Sequence, residues 1–189
     1  MPVDPNAIAT WANAVTVGRI LCAPLAFVVM PDTRSGSWVA LAIWFVLCVS
    51  DGIDGYLARR HGTTASGAFL DPLADKVLVL GAMFTLVARD MFWLLPVALI
   101  AGREFIISVY RTFVASKGVS IPASQMAKWK TVVQQLAVGF ALWPWFAVDA
   151  KWFWVSLLWL AVALSLISGF QYFWYSRVTE RALAESGAA

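Results

Sequence analysis

The chain has 189 residues, 61% hydrophobic and only 13% charged, with a mean hydropathy of +0.75. Soluble globular domains carry roughly a quarter charged residues, so the composition argues against a water-soluble fold and for one embedded in a bilayer. The net charge of +3 is small and scattered, and gives no basis for a nucleic-acid partner.

Residues 1–10 read as a short polar arm with no charged n-region ahead of a cleavage site, so no signal peptide is expected. Hydropathy then predicts an all-α integral membrane protein: one transmembrane domain over 1–189, with six spanning helices at about 13–30, 36–57, 70–88, 91–113, 130–148 and 152–176. Pro31 with Asp32 ends the first helix, and Arg60 to Ser66 breaks between the second and third. Arg89-Asp90 turns tightly into the fourth. Lys117 to Ser124, with Gly118 and Pro122, is the longest polar connection, and Asp149-Ala150-Lys151 is a short one. Trp11, Trp38, Trp93, Trp129, Trp143, Trp145, Trp152, Trp154 and Trp174 fall near the ends of apolar runs, as an interfacial belt requires. Cys22 and Cys48 lie inside apolar segments without ligand spacing and are expected to be buried as small hydrophobes.

Lysine and arginine fall unevenly between the two sides. With a cytoplasmic N-terminus, that side also receives Arg59, Arg60, Lys117, Lys128, Lys130, Arg177 and Arg181, against Arg34, Arg89 and Lys151 opposite. The positive-inside rule then places both termini in the cytoplasm.

Four aspartates stand out against this apolar background. Asp51 and Asp54 share one face of the second helix by their three-residue spacing, and Asp71 and Asp75 share one face of the third by their four-residue spacing. The segment from Arg59 to Leu70 lets the chain reverse and brings the pairs together. Four carboxylates in one poorly hydrated pocket repel one another, so either some are protonated or cations are bound. All-oxygen donors favour magnesium or manganese over zinc. Ion pairing with Arg19, Arg59, Arg103 or Lys76 is the structural alternative, and a cation pathway is another, though transporters hold their ions near midplane. Gly52, Gly55, Ala58 and Gly67 serve either close helix packing or the approach of a large polar ligand. Beside the aspartates, the ligand reading is the better one.

The run from Ser50 to Lys76, SDGIDGYLARRHGTTASGAFLDPLADK, resembles the signature of the CDP-alcohol phosphatidyltransferase family. Asp51, Asp54, Gly55, Ala58, Arg59, Gly67, Asp71 and Asp75 fill its fixed positions in register. The resemblance implies six transmembrane helices, a homodimer and two divalent metal ions (magnesium or manganese) on the four aspartates. It also implies transfer of a phosphatidyl group from CDP-diacylglycerol to an alcohol, with release of CMP. Asp75 then looks like the general base as well as a ligand, and Asp51, Gly55, Ala58, Arg59 and Gly67 like the nucleotide contacts. Asn13, Thr16 and Arg19, the run 71–79, the run 102–108 with Arg111, and the run 128–134 resemble the bacterial members whose acceptor is glycerol 3-phosphate. That resemblance covers roughly residues 10–140 and implies a bacterial inner-membrane enzyme with its site on the cytoplasmic side.

The basic residues point independently to a phosphorylated acceptor. Arg103 and Arg111 lie on roughly one face of a hydrophobic helix, and Lys128 and Lys130 open the next. Arginine grips a phosphomonoester bidentately while lysine supplies a point charge. Arg19 either closes this acceptor pocket or pairs with an acid. Glu104 balances one of the arginines, with Arg111 a candidate by spacing. His61 is expected as a solvated loop residue. Phosphatidylglycerol and inositol phosphate are the competing acceptors.

Overall fold

The computed structural model describes residues 11–32, 35–61, 65–116 and 125–186, with side chains over 16–32, 35–50, 74–114 and 125–178. Seven helices make up the described chain: α1 (Trp11–Val29), α2 (Trp38–His61), α3 (Ala65–Ala88), α4 (Leu94–Ser116), α5 (Gln125–Leu142), α6 (Pro144–Val148) and α7 (Lys151–Ser186). An all-α architecture is as expected. Among the described residues, the Lys151–Val178 part of α7 is long and apolar enough to cross a bilayer, while Thr16–Val29 and Trp38–Ser50 are shorter apolar stretches. Helices α3, α4 and α5 carry charged residues within their length, such as Arg103 and Glu104 in α4, which dilute their hydropathy, and α6 has only 5 residues.

Several boundaries move. The span expected over 130–148 is two helices, α5 and α6, because Pro144 lacks an N–H and its ring clashes with the preceding turn. Pro144 instead occupies the first turn of α6, where no donor is needed. Helix α2 continues to His61 and α3 begins at Ala65. Arg59 and Gly67 are thus helical rather than in a loop, and His61 closes α2.

The described helices fall into two compact units. The first carries α1, α2, α3, the end of α5 from Val138, and α6 through to Trp154; the second carries α4, α5 to Ala137, and α7 from Val155.

In the first unit α1 lies against both α2 and α3. Small buried residues, Ala23 and Ala26 on α1 and Ala74 and Ala82 on α3, let backbones approach closely. Phe27 rests on Gly81, where an added Cβ would stand 2.5 Å from the ring Cζ. Beyond α1, Asp32 pairs with Arg89 beyond α3. These contacts make α1 and α3 parallel. Arg19, before the end of α1 at Val29, meets Ser50, a similar length of helix after the start of α2 at Trp38, so α2 runs back along α1.

The end of α3 is a Schellman cap. Met91 N–H donates to Leu86 O at 2.9 Å, Asp90 N–H donates to Val87 O at 3.0 Å, and Asp90 takes the left-handed conformation with φ 55°. The tight turn expected at Arg89-Asp90 is this cap. Gly36, with φ 70°, turns the chain into α2, and Ser37 N–H donates to the orphan carbonyl of Leu142 at the end of α5 (2.8 Å).

Leu21, Leu25, Val28, Phe45, Val46, Phe105 and Phe170 are 64–74% exposed. Such faces are at home against acyl chains, which are as apolar as the side chains themselves. Cys22 is exposed on the same kind of face and Cys48 is half-buried, correcting the expectation that both are buried. Most tryptophans of the expected belt are exposed, but Trp154 is buried and stacks on Phe92 at 5.4 Å.

Candidate active site

Helix α2 carries Asp51, Asp54, Gly55, Ala58 and Arg59; helix α3 carries Gly67, Asp71 and Asp75. Register places these stretches at one end of the first unit. Arg19 precedes Phe27 by the same length of helix that separates position 73 from Gly81, the residue on which Phe27 rests. The parallel helices therefore set Arg19 level with the Asp71–Asp75 stretch. The antiparallel α2 brings Ser50, beside Asp51, to the same level through its contact with Arg19.

At that level Thr16 and Arg19 are both buried. Arg19 Nε donates to Ser50 Oγ at 3.3 Å, and Ser50 Oγ donates to Leu47 O at 2.8 Å. The guanidinium is thereby fixed beside the start of the aspartate run. Asp75 is half-buried, its Oδ1 shut off from solvent. The side chains of Asp51, Asp54, Arg59, His61 and Asp71 lie outside the described set, and among the described residues no three His, Cys, Asp or Glu side chains gather. A desolvated carboxylate oxygen, with further aspartates carried on helices at the same level of the bundle, fits a hard divalent cation.

The second unit holds a separate polar group. Glu104 Oε1 accepts from Arg103 Nη1 at 2.9 Å and pairs with Lys130 Nζ. Arg103 Nη2 donates to Ser168 Oγ (2.9 Å), which in turn donates to Ser165 O (3.0 Å). The side chains of Arg103, Glu104 and Lys130 are only 9%, 10% and 8% exposed. Two cations share one carboxylate, so the buried group is net positive. Gly169 makes room for it: a Cβ there would lie 3.1 Å from Arg103 Nε.

Of the four basic residues expected at an acceptor phosphate on α4 and α5, the structure joins two, Arg103 and Lys130, through Glu104. Arg111 and Lys128 are exposed. Arg111 lies over the Tyr172 ring at 5.7 Å instead of pairing with Glu104, which corrects the partner suggested by spacing. Tyr110 braces the same stretch, sharing a hydrogen bond with Ser176 at 2.9 Å and packing on Phe173 at 4.6 Å. The successive contacts of Arg103 with Ser168 and Tyr110 with Ser176 show α4 and α7 running parallel. Ser168 and Gly169 were not singled out by sequence; they sit in the charge-free run 152–176, and their only signal is two small residues interrupting bulky ones.

Residues 9–167 match the family model for CDP-alcohol phosphatidyltransferase, and the chain belongs to that family. It is similar to proteins named CDP-diacylglycerol–glycerol-3-phosphate 3-phosphatidyltransferase. The Haemophilus influenzae protein is 37% identical over 169 residues, spanning 84% of this chain and 88% of that one. The Rickettsia prowazekii protein is 33% identical over 183 residues (92% and 96%). The Pseudomonas fluorescens protein is 38% identical over 171 residues (85% and 86%).

Proposed function

We propose that this chain transfers the phosphatidyl group of CDP-diacylglycerol to the primary hydroxyl of sn-glycerol 3-phosphate, giving phosphatidylglycerophosphate and CMP in phospholipid biosynthesis. The observation that carries the reading is the register of the first unit, which sets the Asp51–Asp54 and Asp71–Asp75 stretches level with one another and with buried Arg19.

Asp51, Asp54, Asp71 and Asp75 would hold two divalent ions, magnesium or manganese, which supply Lewis-acid stabilisation of the pyrophosphate and of the departing CMP. Asp51, Gly55, Ala58, Arg59 and Gly67 bind the nucleotide, the small residues admitting it against the helix backbone. Asp75 takes the proton of the acceptor hydroxyl. The freed oxygen forms a bond to the phosphorus that bears the diacylglycerol, and the bond from that phosphorus to the CMP oxygen breaks, CMP leaving with the electron pair. Arg103 and Lys130 bind the acceptor phosphate, Arg111 and Lys128 draw it in from the exposed surface, and Arg19 holds charge near the aspartates.

The whole chain acts as one catalytic domain with six membrane passages. It works as a homodimer in the bacterial cytoplasmic membrane, with both termini and the aspartates on the cytoplasmic side. The lysine and arginine distribution supports that orientation. An acceptor panel tests the reaction: purified protein, CDP-diacylglycerol and magnesium with glycerol 3-phosphate, phosphatidylglycerol or inositol phosphate, products identified by mass. Phosphatidylglycerophosphate should dominate; cardiolipin or an inositol phospholipid as the main product would refute the acceptor.

A further inference from the structure

Helix α5 buries one face in the second unit, made of Lys130, Val133, Gln134 and Ala137. Gln134 is 3% exposed, yet its amide Nε2 has no hydrogen-bond partner. Buried amides are nearly always bonded, because a desolvated donor without an acceptor destabilises the fold. Two further orphans share the unit: Ser165 Oγ, in a residue with no exposure, and Arg103 Nε.

Arg103 Nε belongs to the charged group itself, and the other two orphans lie one helical turn from residues that touch it. Gln134 follows Lys130 by one turn of α5, about 6 Å along the axis, and Lys130 is bound to Glu104. Ser165 precedes Gly169, against which Arg103 lies, by one turn of α7. The cations can hold an anionic end, and uncharged donors wait one turn away. A short phosphate ester carrying a hydroxyl next to its phosphate-bearing carbon has that polarity and that reach.

We propose that Gln134 determines acceptor specificity: its amide N–H donates to the secondary hydroxyl of the acceptor, with Ser165 Oγ as a second partner for that hydroxyl. This deepens, and rests on, the acceptor-binding role of Arg103 and Lys130. A ligand hydroxyl satisfies the amide only when bound, so the free protein carries the orphan and the complex does not. Sites built to bond a hydroxyl reject analogues without it, because the site's own polar groups are then left unpaired.

The test compares glycerol 3-phosphate with 3-hydroxypropyl phosphate, which keeps the phosphate and the reacting primary hydroxyl and lacks the secondary one. Full-length wild type should prefer glycerol 3-phosphate in kcat/KM, and Gln134→Leu should shrink that preference about tenfold, as loss of a bond to a buried amide does. KM for CDP-diacylglycerol should stay the same. Without acceptor, Gln134→Leu should melt no lower than wild type, since an orphan donor has been removed; a purely structural amide would predict a lower Tm. An unchanged acceptor preference in Gln134→Leu overturns the proposal. Should that variant not fold, Gln134→Met reads the same ratio. Arg103→Lys is run alongside. If it leaves KM for glycerol 3-phosphate unaltered, the acceptor role of the cations fails. If it raises that KM while the Gln134 ratio stays fixed, only the role of Gln134 fails.

Discussion

Glu104→Gln is the most informative single change. The carboxylate serves two buried cations, Arg103 at 2.9 Å and Lys130, and all three side chains are about one-tenth exposed. Glutamine keeps the shape and one acceptor oxygen but removes the charge, leaving two like charges facing each other out of water. Breaking a buried pair by removing one partner costs about 3–5 kcal/mol; the retained oxygen puts this case near the lower end, about 3 kcal/mol. For a chain of this size each kcal/mol moves Tm by about 2–4 °C, so the detergent-solubilised variant should melt about 6–12 °C below wild type. KM for glycerol 3-phosphate should rise as the cations splay, and KM for CDP-diacylglycerol should hold. Adding Arg103→Met and Lys130→Met to Glu104→Gln removes the stranded charges and should restore most of the Tm while leaving acceptor binding lost. A Glu104→Gln Tm within about 2 °C of wild type, or no recovery in the triple variant, would refute the buried-network reasoning.

Asp71→Ala and Asp75→Ala should each abolish CMP release, as should chelation of divalent ions, with membrane insertion and helix content by circular dichroism unchanged. Retained turnover in both variants would remove the metal-site assignment. Gly36→Ala should destabilise by about 2 kcal/mol or more: φ is 70°, and the new Cβ would stand 2.6 Å from Leu142 O and 2.8 Å from Pro144 Cα. Thermal unfolding checks it, and a Tm equal to wild type would mean the turn is not held as described.

Periodic and local signals in the sequence carried well into the fold. Charge-free stretches, the Arg89-Asp90 turn and the placement of Asp51, Asp54, Asp71 and Asp75 on two helices follow from hydropathy and helical spacing. What spacing could not supply was side-chain choice among long, flexible residues. Arg111 reaches an aromatic face on α7 and Glu104 turns to the adjacent Arg103 and to Lys130 on α5, because these neighbours outcompete a residue two turns along the same helix. Hydropathy averages also run across single residues with local effects, so Pro144 was absorbed into a longer span that it divides. Cys22 shows a further ambiguity: an apolar segment has a lipid face as well as a protein face, and composition does not tell which one a residue takes. Gln134 entered the reading only as the last residue of the run 128–134, because one amide barely alters a window average, although its burial is the part that matters.

The bond from Ser37 N–H to Leu142 O also bears on how the chain is made. The first unit is discontinuous, drawing on α1 to α3 and then on the stretch from Val138 to Trp154. During synthesis the early helices therefore emerge with this part of their packing missing, and α4 and most of α5 must be made before it arrives. A polypeptide halted within α4 leaves Ser37 without its acceptor and the first unit incomplete. Quality control in the membrane would meet this protein as a late-closing one, whose N-terminal half is vulnerable until its C-terminal half has been translated.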